Sequence, residues 1–296
     1  MIDIEIMQDA SEIIHYDSPE ISYAVQERLL SNYTDMRALC HWHDDIELLH
    51  IFDGEMNYDV NGQKYLFKKG DTIFINSRQL HYGYDNDKKD CEFMVVLIHP
   101  ELLKPSNYMY RRYVYPILNY ATDIVIIKQN DPSGPSLTQL FKNIRLCRQQ
   151  SKSCHEFELL GYFYEIWSII YKNCSIEENV TSSHEDPDIQ TQKQMVSYIY
   201  QHYQEHITLE DIATAGMVSR SKCCKVFQKY LSQSPISFLN DYRMEISCNL
   251  LSDTAFSITQ IATSCGFNHL SYYSKMFLQR YGCTPNTYRK MHQPAT

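Results

Sequence analysis

The most constraining feature of this sequence is an internal duplication in its last hundred residues. One copy, TLEDIATAGMVSRSKCCKVFQKYLSQSP, covers residues 208–235, and the other, SITQIATSCGFNHLSYYSKMFLQRYGCTP, covers residues 257–285. Ile212 matches Ile261 at an offset of 49 residues, whereas Phe227 matches Phe277 at an offset of 50. We therefore expect one local structure formed twice, with one residue inserted at the turn into the second helix of the second copy.

Each copy predicts a helix-turn-helix, because it contains a short helix, a sharp turn and a longer second helix. The signals are a capping box, an N-cap for the second helix and a proline at the first position of the helix that follows. In chain order they are Thr208 with Asp211, Ser219 and Pro235, and then Ser257 with Gln260, Asn268 and Pro285. Gly266 suits the turn of the second copy. The two motifs are predicted at about 208–232 and 257–281.

The second helix of each motif has one apolar face and one polar face. Cys223, Phe227 and Leu231 recur at the spacing of a buried stripe, as do Tyr273, Phe277 and Tyr281. The opposite faces carry the small, polar and cationic side chains that a DNA-reading helix presents to base edges. These predicted DNA-binding residues are Arg220, Ser221, Cys224 and Lys225, and then Leu270, Ser271, Ser274 and Lys275. An ordinary solvated helix face is the alternative, but two such motifs in tandem favour DNA binding.

The segment between the motifs, PISFLNDYRMEISCNLLSDT, predicts a helix of about 17 residues and roughly 25 Å. A helix of that length can hold two reading helices near one DNA turn apart. Arg243 in this helix, together with Arg289 and Lys290 near the end of the sequence, are candidates for contacts with DNA phosphates.

The charge of the chain is uneven, which bears on its partners. The 296 residues carry a net charge of -9, but from Pro187 onward 10 Lys+Arg stand against 7 Asp+Glu, a net of +3. A basic C-terminal module on an acidic body is compatible with nucleic-acid binding. The ten cysteines form no CxxC pair, and neither a secretory signal nor a membrane span is visible, so we expect a cytoplasmic protein without a membrane.

The first half of the chain predicts short β-strands between residues about 38 and 100, with Asn61-Gly62 as a hairpin turn. Two helical stripes follow between 136 and 174, and they predict either packing on the β domain or a dimer interface. The first stripe is Leu137, Leu140, Phe141, Ile144 and Leu146–Cys147, and the second is Phe157, Leu160, Tyr164, Trp167 and Tyr171. The polar and acidic residues 176–188 predict a linker.

The C-terminal half resembles AraC/XylS-type transcription regulators over about residues 190–292. The stretch RMEISCNLLSDTAFSITQIATSCGFNHLSYYSKMFLQRYGCTPNTYRK carries the signature of that family. The resemblance implies tandem helix-turn-helix binding to two successive major grooves, with Ser221, Cys224 and Lys225 and then Leu270, Ser271 and Lys275 at the bases. It also implies an N-terminal domain that senses an effector and dimerises.

The N-terminal half resembles a cupin-type domain. In HWHDDIELLHIFDG, His41, His43, Glu47 and Gly54 have the spacing of the first cupin motif, and the second begins at Gly70-Asp71 and reaches His81. Asp35 stands where the first motif usually has glycine, and Asn76 and Arg78 stand where the second has proline and glycine. His15, His50 and His99 have no such context, and we expect them at the surface or at strand ends.

The histidine motif has three interpretations. His41, His43 and Glu47 share strand parity, so with His81 they can converge inside a barrel. Three histidines and one carboxylate suit a divalent metal such as iron, manganese, zinc or nickel. The same region can instead form a metal-free pocket for a small polar effector such as a sugar, or fill the barrel interior. The predicted effector-binding residues are His41, Trp42, His43, Glu47, Tyr58 and His81, and the predicted metal ligands are His41, His43, Glu47 and His81.

These patterns together predict a two-domain α+β protein. Residues 1–175 are expected to form a cupin-like β-barrel domain, β-rich to about 130 with packed helices at about 136–174, for effector binding and dimerisation. Residues 176–188 are the predicted linker, and 189–296 the predicted all-α DNA-binding domain. We expect a transcription regulator rather than an enzyme, with promoter DNA, a small-molecule effector, RNA polymerase and a second copy as partners. The alternative is a cupin metalloenzyme, or a metal or redox sensor coupled to the helical domain.

Overall fold

The structure is a computed structural model, and it describes residues 11–18, 20–120, 123–150, 154–174, 187–231 and 233–292. They form two compact units, one within residues 12–184 and the other mainly within residues 185–296. In these ranges no helix is both long enough and apolar enough to cross a membrane. Most of the predicted linker lies outside the described residues, and the domain boundaries remain a prediction.

The N-terminal unit is built on antiparallel strands that share one long central strand. The strands are β1 (Tyr23–Leu29), β2 (Ile46–Val60), β3 (Gln63–Lys68), β4 (Thr72–Ile75), β5 (His81–Tyr84), β6 (Cys91–Ile98) and β7 (Ile124–Ile127). The larger sheet has the order β1-β6-β2-β4-β7, and β3 and β5 pair with the second half of β2. The closure of these strands into a cupin-type barrel remains a prediction.

A β-bulge divides β2 into two halves. Ile51 pairs with Phe93 and Asp53 pairs with Glu92, so Phe52 is an extra residue on β2. An extra residue reverses which side chains face each side of a strand. Accordingly, Leu49 and Ile51 face the same apolar core as Met56, Tyr58 and Val60, although the spacing between the two sets is odd.

The turns around β2 follow the local sequence. Asn61 and Gly62 both have positive φ angles, 49° and 81°, where the β2–β3 hairpin turns. The predicted Asn-Gly hairpin is therefore confirmed, and its physical reason is that a tight primed turn requires positive φ at both central residues.

The N-terminal unit has four α-helices within the described residues. They are α1 (Asn107–Met109), α2 (Tyr115–Tyr120), α3 (Gly134–Gln150) and α4 (His155–Asn173). Of these, α3 and α4 pack on the larger sheet. The predicted α3 stripe is buried except for Leu146, which is exposed. On α4 the prediction was partly wrong, because Phe157 and Tyr164 are exposed and the buried face includes Leu159 and Phe163 instead.

The C-terminal unit is all-helical, as predicted. Its helices are α5 (Pro187–His202), α6 (Leu209–Ala215), α7 (Arg220–Leu231), α8 (Pro235–Asp253), α9 (Ile258–Ser264), α10 (Leu270–Tyr281) and α11 (Pro285–His292). The pairs α6–α7 and α9–α10 are the two helix-turn-helix motifs. The first helices correspond at an offset of 49 residues and the second helices at 50, which confirms the insertion predicted from the repeat.

Most of the predicted caps of these helices are confirmed. Thr208 and Ser257 each form a capping box, and the Ser219 hydroxyl accepts a hydrogen bond from the Lys222 amide. The prediction for Asn268 was wrong, because α10 begins one residue later with His269 as its N-cap and no side-chain cap. The residue inserted before α10 moves the helix start away from the asparagine.

Candidate functional site

Four buried polar side chains converge in the N-terminal unit, and they are the four predicted from the motif spacing. Ligand-type atoms of His41, His43, Glu47 and His81 all lie within 4.8 Å of one another, and the four residues are between 1% and 5% exposed. We call this set the histidine cluster. Its closeness comes from an antiparallel bridge between His41 and His81, in which each backbone amide donates to the other residue's carbonyl.

Each of the three imidazoles is oriented by a backbone carbonyl. The Nδ1 atoms of His41, His43 and His81 lie 2.7, 2.9 and 2.8 Å from the carbonyl oxygens of Leu39, Asp45 and Gln79. Since a carbonyl only accepts, each Nδ1 must carry the proton and donate it. In a neutral imidazole Nε2 then keeps its lone pair, and the Nε2 atoms of His43 and His81 are buried without a hydrogen-bond partner.

Glu47 is the carboxylate at the centre of the cluster. Its Oε2 lies 3.4 Å from His43 Nε2 and 3.3 Å from His81 Nε2, and its Oε1 accepts a 2.7 Å hydrogen bond from the Tyr58 hydroxyl. The bulge at Phe52 makes this bond possible, because it turns Tyr58 to the same side of β2 as Glu47. The structure thus joins Tyr58 to the cluster through Glu47.

Burial and neighbouring charge shift the pKa values of Glu47 and His43 in opposite directions. Burial alone would raise the pKa of the Glu47 carboxyl, but the adjacent His81 and His43 imidazoles hold that pKa well below its usual range. Burial and the two other imidazoles hold the pKa of His41 well below its usual value. The pKa of His43 is raised despite burial, because the Glu47 carboxylate stabilises its protonated form.

Trp42 is placed apart from the converging groups. It is partly exposed, whereas His41 and His43 on either side of it are buried, and it contributes no atom to the cluster. Successive side chains of an extended segment alternate in direction, which accounts for the difference. Trp42 therefore flanks the site rather than lining it with the histidines.

Glu12 is a neighbour of the cluster that the sequence did not indicate. Its Oε2 lies 3.5 Å from His41 Nε2, its side chain is 13% exposed, and its backbone amide donates to the Trp42 carbonyl. Burial raises the pKa of the Glu12 carboxyl to about 7. No spacing relates Glu12 to the motif at 41–47, so only the folded chain brings it there.

At two positions where the cupin motifs have glycine, this chain has another residue but keeps a positive φ angle. Asp35 and Arg78, which stand where the motifs have glycine, have φ angles of 57° and 66°. The Arg78 amide donates to the His43 carbonyl at 2.7 Å, which holds the second motif against the first. The loops beside the cluster thus retain a glycine-like shape without glycine.

His50 is a correction to the expectation of a surface or strand-end residue. It is fully buried on the other face of β2, where its ring stacks on Phe141 and its Nδ1 lies 2.8 Å from the Thr72 hydroxyl. Burial lowers its pKa to about 4, so the ring is neutral at physiological pH. It belongs to the packing of α3 on the sheet.

The C-terminal unit presents the predicted reading faces to solvent. Arg220, Ser221, Lys225, Leu270, Ser271 and Lys275 are exposed, while Cys224 and Ser274 are partly buried. Cys223, Phe227, Tyr273 and Phe277, on the opposite faces, are fully buried. In the part of the chain that the structure describes, Lys225 and Lys275 take part in no ion pair, so both ammonium groups are available to a ligand.

Arg243 does not have the exposed position that a phosphate contact requires, and this prediction is corrected. The residue is 8% exposed, and its guanidinium donates to the carbonyls of Tyr203 and Glu205 at 2.7 Å each. It therefore joins α8 to the turn that follows α5 within the protein. Arg289 is also partly buried and donates to the Phe256 carbonyl, whereas Lys290 is exposed.

Comparisons with known proteins match both units. A family model described as an AraC-like ligand binding domain matches residues 24–165, and one described as a helix-turn-helix domain matches residues 212–291. The HTH-type transcriptional regulator YdeC of Bacillus subtilis (strain 168) is 29% identical over 293 residues, which cover 97% of this chain and 98% of that protein.

Two further relatives are named for the operons they control. The lactose operon transcription activator of Staphylococcus xylosus is 26% identical over 82% of this chain and 83% of its own length. The melibiose operon regulatory protein of Escherichia coli (strain K12) is 24% identical over 86% of this chain and 84% of its own length. Since a ligand-binding model matches its first half and a helix-turn-helix model its second, and its relatives are transcription regulators, the chain belongs to the AraC/XylS family of effector-responsive, DNA-binding transcription regulators.

Proposed function

We propose that α7 and α10 read promoter DNA and that the histidine cluster is part of the site through which the N-terminal unit senses a small-molecule effector. The observation that carries the DNA proposal is the repetition of the reading face. Ser221 and Lys225 on α7 correspond to Ser271 and Lys275 on α10 at one offset, and the Ser and Lys residues are exposed in both motifs. Each helix thus offers a hydroxyl and an ammonium one turn apart.

The DNA proposal is tested with the double variant Lys225→Ala/Lys275→Ala. Binding of labelled duplex from the region upstream of the chain's own gene is measured by fluorescence anisotropy at several salt concentrations. Removing two ammonium groups, each of which displaces a counterion from the DNA, should weaken binding by roughly ten- to a hundredfold and reduce the slope of log affinity against log salt by about 2. Lys64→Ala, an exposed lysine on β3, is the control. Unchanged affinity and slope in the double variant would exclude these helices as the reading elements.

A sugar or a related metabolite is the proposed effector class. The site offers acceptors on Glu47 and the imidazoles, and the flanking Trp42 offers an aromatic surface, which together suit a small polar molecule. The lactose and melibiose operon regulators among the relatives support this class.

Trp42 gives a direct test of the effector proposal, because the chain has only two tryptophans and the other, Trp167, is buried on the inner face of α4 against Phe74. Lactose and melibiose are titrated while tryptophan fluorescence is followed. A saturable change that is lost in Trp42→Phe and kept in Trp167→Phe is expected. A change that depends only on Trp167, or no saturable change with either sugar, would contradict a sugar site beside Trp42.

The exposed side of α3 and α4 is the proposed dimer interface. Leu146, Phe157 and Tyr164 are 51%, 80% and 39% exposed there, although their helices bury their other faces on the sheet. Light scattering during size-exclusion chromatography should give a dimer for the wild type and a monomer for Phe157→Glu. Phe256→Glu, which changes an exposed phenylalanine of the other unit, should stay dimeric. A Phe157→Glu dimer would move the interface elsewhere.

Family membership also supports the remaining parts of the proposal. These are contact with RNA polymerase at the promoter, a cytoplasmic location and the absence of catalytic activity. The relatives are transcription regulators, and this favours a sensor over a metalloenzyme.

A further inference from the structure

We propose that the His41, His43, Glu47 and His81 side chains bind one divalent first-row transition-metal ion, with Glu12 as the adjacent carboxylate that balances its charge. This inference rests on the proposed role of the histidine cluster as part of the sensor site, and it deepens that role by naming the chemical class of a ligand. The ion can be the signal itself or the anchor for an effector, and both require the same site.

The spacing of the four groups is that of a single coordination shell. Imidazole nitrogens and carboxylate oxygens lie about 2.0–2.2 Å from a zinc-sized ion, so two ligands of a tetrahedral site are about 3.4 Å apart. Glu47 Oε2 is 3.4 Å from His43 Nε2 and 3.3 Å from His81 Nε2, and all four ligand atoms fall within 4.8 Å. An ion between them therefore needs only a small inward movement of the side chains.

The orientation of the imidazoles is the second argument. Histidine ligands usually donate their other ring N–H to a carbonyl or carboxylate, which fixes the tautomer and aims the remaining lone pair at the metal. All three histidines of the cluster have this arrangement at Nδ1. Any buried histidine needs a partner for its ring N–H, so the distinguishing feature is where the other nitrogen points. The Nε2 atoms of His43 and His81 converge on Glu47, whereas His50 lies on the other face of β2 with its Nδ1 at the Thr72 hydroxyl.

Direct ion pairs between the histidines and Glu47 explain the same distances less well. A charged N–H···O hydrogen bond is about 2.7–2.9 Å long. The two Nε2 to Oε2 distances are longer than this, and neither Nε2 atom has a hydrogen-bond partner although both are buried. Two nitrogens and one oxygen that face each other at such distances leave room for a cation between them.

The carboxylates set the charge of the site. Tyr58 donates to Glu47 Oε1, which leaves Oε2 as the single oxygen that faces the imidazoles. Three neutral imidazoles and one carboxylate around a divalent ion leave a net charge of +1, which is costly in a buried position. Glu12, close to His41 and largely buried, supplies the compensating charge. Nitrogen and oxygen donors of this kind suit iron, manganese, nickel or zinc rather than magnesium or calcium.

The experiment measures metal uptake by the full-length protein after it has been stripped with a chelator. Cobalt(II) and zinc(II) are added in turn, and bound metal is measured after dialysis together with visible absorption for cobalt and with the melting temperature. We expect one equivalent of metal, visible d–d bands and a higher melting temperature. Because the chain has ten cysteines, the near-ultraviolet spectrum is recorded as well, since thiolate ligands give strong charge-transfer bands there.

Variants assign the bound ion to the cluster. His43→Ala, His81→Ala and the near-isosteric Glu47→Gln should each lose the stoichiometric ion, and near-ultraviolet circular dichroism checks that each remains folded. Glu12→Gln should still bind one ion, with an affinity roughly ten- to a hundredfold lower, which is the range for groups just outside the coordination shell. His206→Ala, an exposed histidine of the C-terminal unit, should bind like the wild type.

Three results would overturn the proposal. They are no stoichiometric uptake by the wild type, undiminished uptake by folded Glu47→Gln, and cobalt spectra dominated by thiolate bands. Promoter binding is measured separately on stripped and loaded protein. A protein that binds metal but no DNA would refute only the proposed DNA function, whereas one that binds DNA but no metal would refute only this inference.

Discussion

The two helix-turn-helix motifs have the same framework but differ at the turn and at the start of the reading helix. Their helices have equal lengths, and in both turns the same two amide-to-carbonyl hydrogen bonds occur, from Met217 and Val218 in one and from Gly266 and Phe267 in the other. Met217 and Gly266 occupy the corresponding position, and both have positive φ angles, 51° and 80°. The backbone of the motif is therefore repeated even where the residue types are not.

The surroundings of the turns explain why only one of them has glycine. A Cβ atom on Gly266 would lie 2.3 Å from the Tyr203 carbonyl oxygen and 2.8 Å from the Arg243 guanidinium. Met217 instead points into solvent with 81% of its surface exposed. The second turn is thus packed against α8 and the turn that follows α5, whereas the first turn is open. The turn itself accepts a side chain, as Met217 shows. Glycine is required at position 266 because Tyr203 and Arg243 leave no room for a Cβ atom.

Substitutions at the two turns are expected to have the largest effect, which is on the free energy of unfolding. Gly266→Ala should lower the free energy of unfolding of the C-terminal unit by roughly 2–4 kcal/mol, because it adds a clash to an unfavourable φ angle. Met217→Gly should raise it by up to about 1 kcal/mol, because it removes the strain of a side chain at positive φ. Both changes are measured by calorimetry.

Gly282→Ala is the matched control for the turns, since Gly282 also has a positive φ angle, 69°, but has open space around it. It should cost only about 1 kcal/mol, which is the backbone contribution alone. If Gly266→Ala cost no more than Gly282→Ala, the packing of the second turn would not matter.

An intermediate effect is expected at the first residue of each reading helix, where Arg220 corresponds to Leu270. Arg220→Ala should weaken promoter binding by about 1–2 kcal/mol and reduce the salt slope by about 1. Leu270→Ala should weaken binding without a change in the salt slope, because an apolar side chain releases no counterion. The two slopes are measured by anisotropy at matched salt series. Equal changes of slope would show that the two helices do not differ in how they contact DNA.

The smallest effects are expected at the capping boxes. Ser257→Ala should cost about 1 kcal/mol, because it leaves a helix amide without its cap. The first box contains Asp211 where the second has Gln260, and the hydrogen bonds from Thr208 lower the pKa of Asp211. Asp211 therefore stabilises the fold above the ordinary aspartate pKa of about 3.9, and this contribution is lost as the pH falls through the lowered pKa of the folded state.

The pH dependence of the melting temperature should therefore distinguish the two capping boxes. Thr208→Ala should have less effect on the melting temperature as the pH falls below about 4, whereas Ser257→Ala should have an effect that does not depend on pH, because an amide does not titrate. Melting curves of both variants between pH 3 and pH 7 provide the test. A pH-dependent effect of Ser257→Ala would contradict this account of the second box.

The parts of the fold that were predictable from the sequence are those set by local chemistry. The Asn61-Gly62 turn and the capping boxes depend on a few adjacent residues, so their sequences suffice. The convergence of His41, His43 and Glu47 was predictable from motif spacing, although β2 begins only at Ile46 and His41 is held by its bridge to His81. The burial of His50 was also within reach, because it shares parity with Ile46 and Leu48 on the face covered by α3.

The parts that were not predictable depend on contacts between distant segments. Arg243 looks like an exposed basic residue in the sequence, but the turn that follows α5 brings two backbone carbonyls to its guanidinium. Glu12 joins the cluster through a backbone hydrogen bond to Trp42, which no local pattern encodes. The side of α4 that packs on the sheet was misassigned because apolar residues occur all round that helix.

The extra residue in β2 has a genetic consequence. Deleting the codon for Phe52 would keep the reading frame and change the spacing of Ile51 and Met56 from odd to even, which is the spacing of residues that face one side of a regular strand. Tyr58 would therefore stay on the side of Glu47. Inserting a second extra residue beside Phe52 would instead reverse the facing of residues 53–60 relative to 46–51 and take Tyr58 away from Glu47. Lineages of this protein are therefore expected to lose the extra residue of β2 more readily than they gain another.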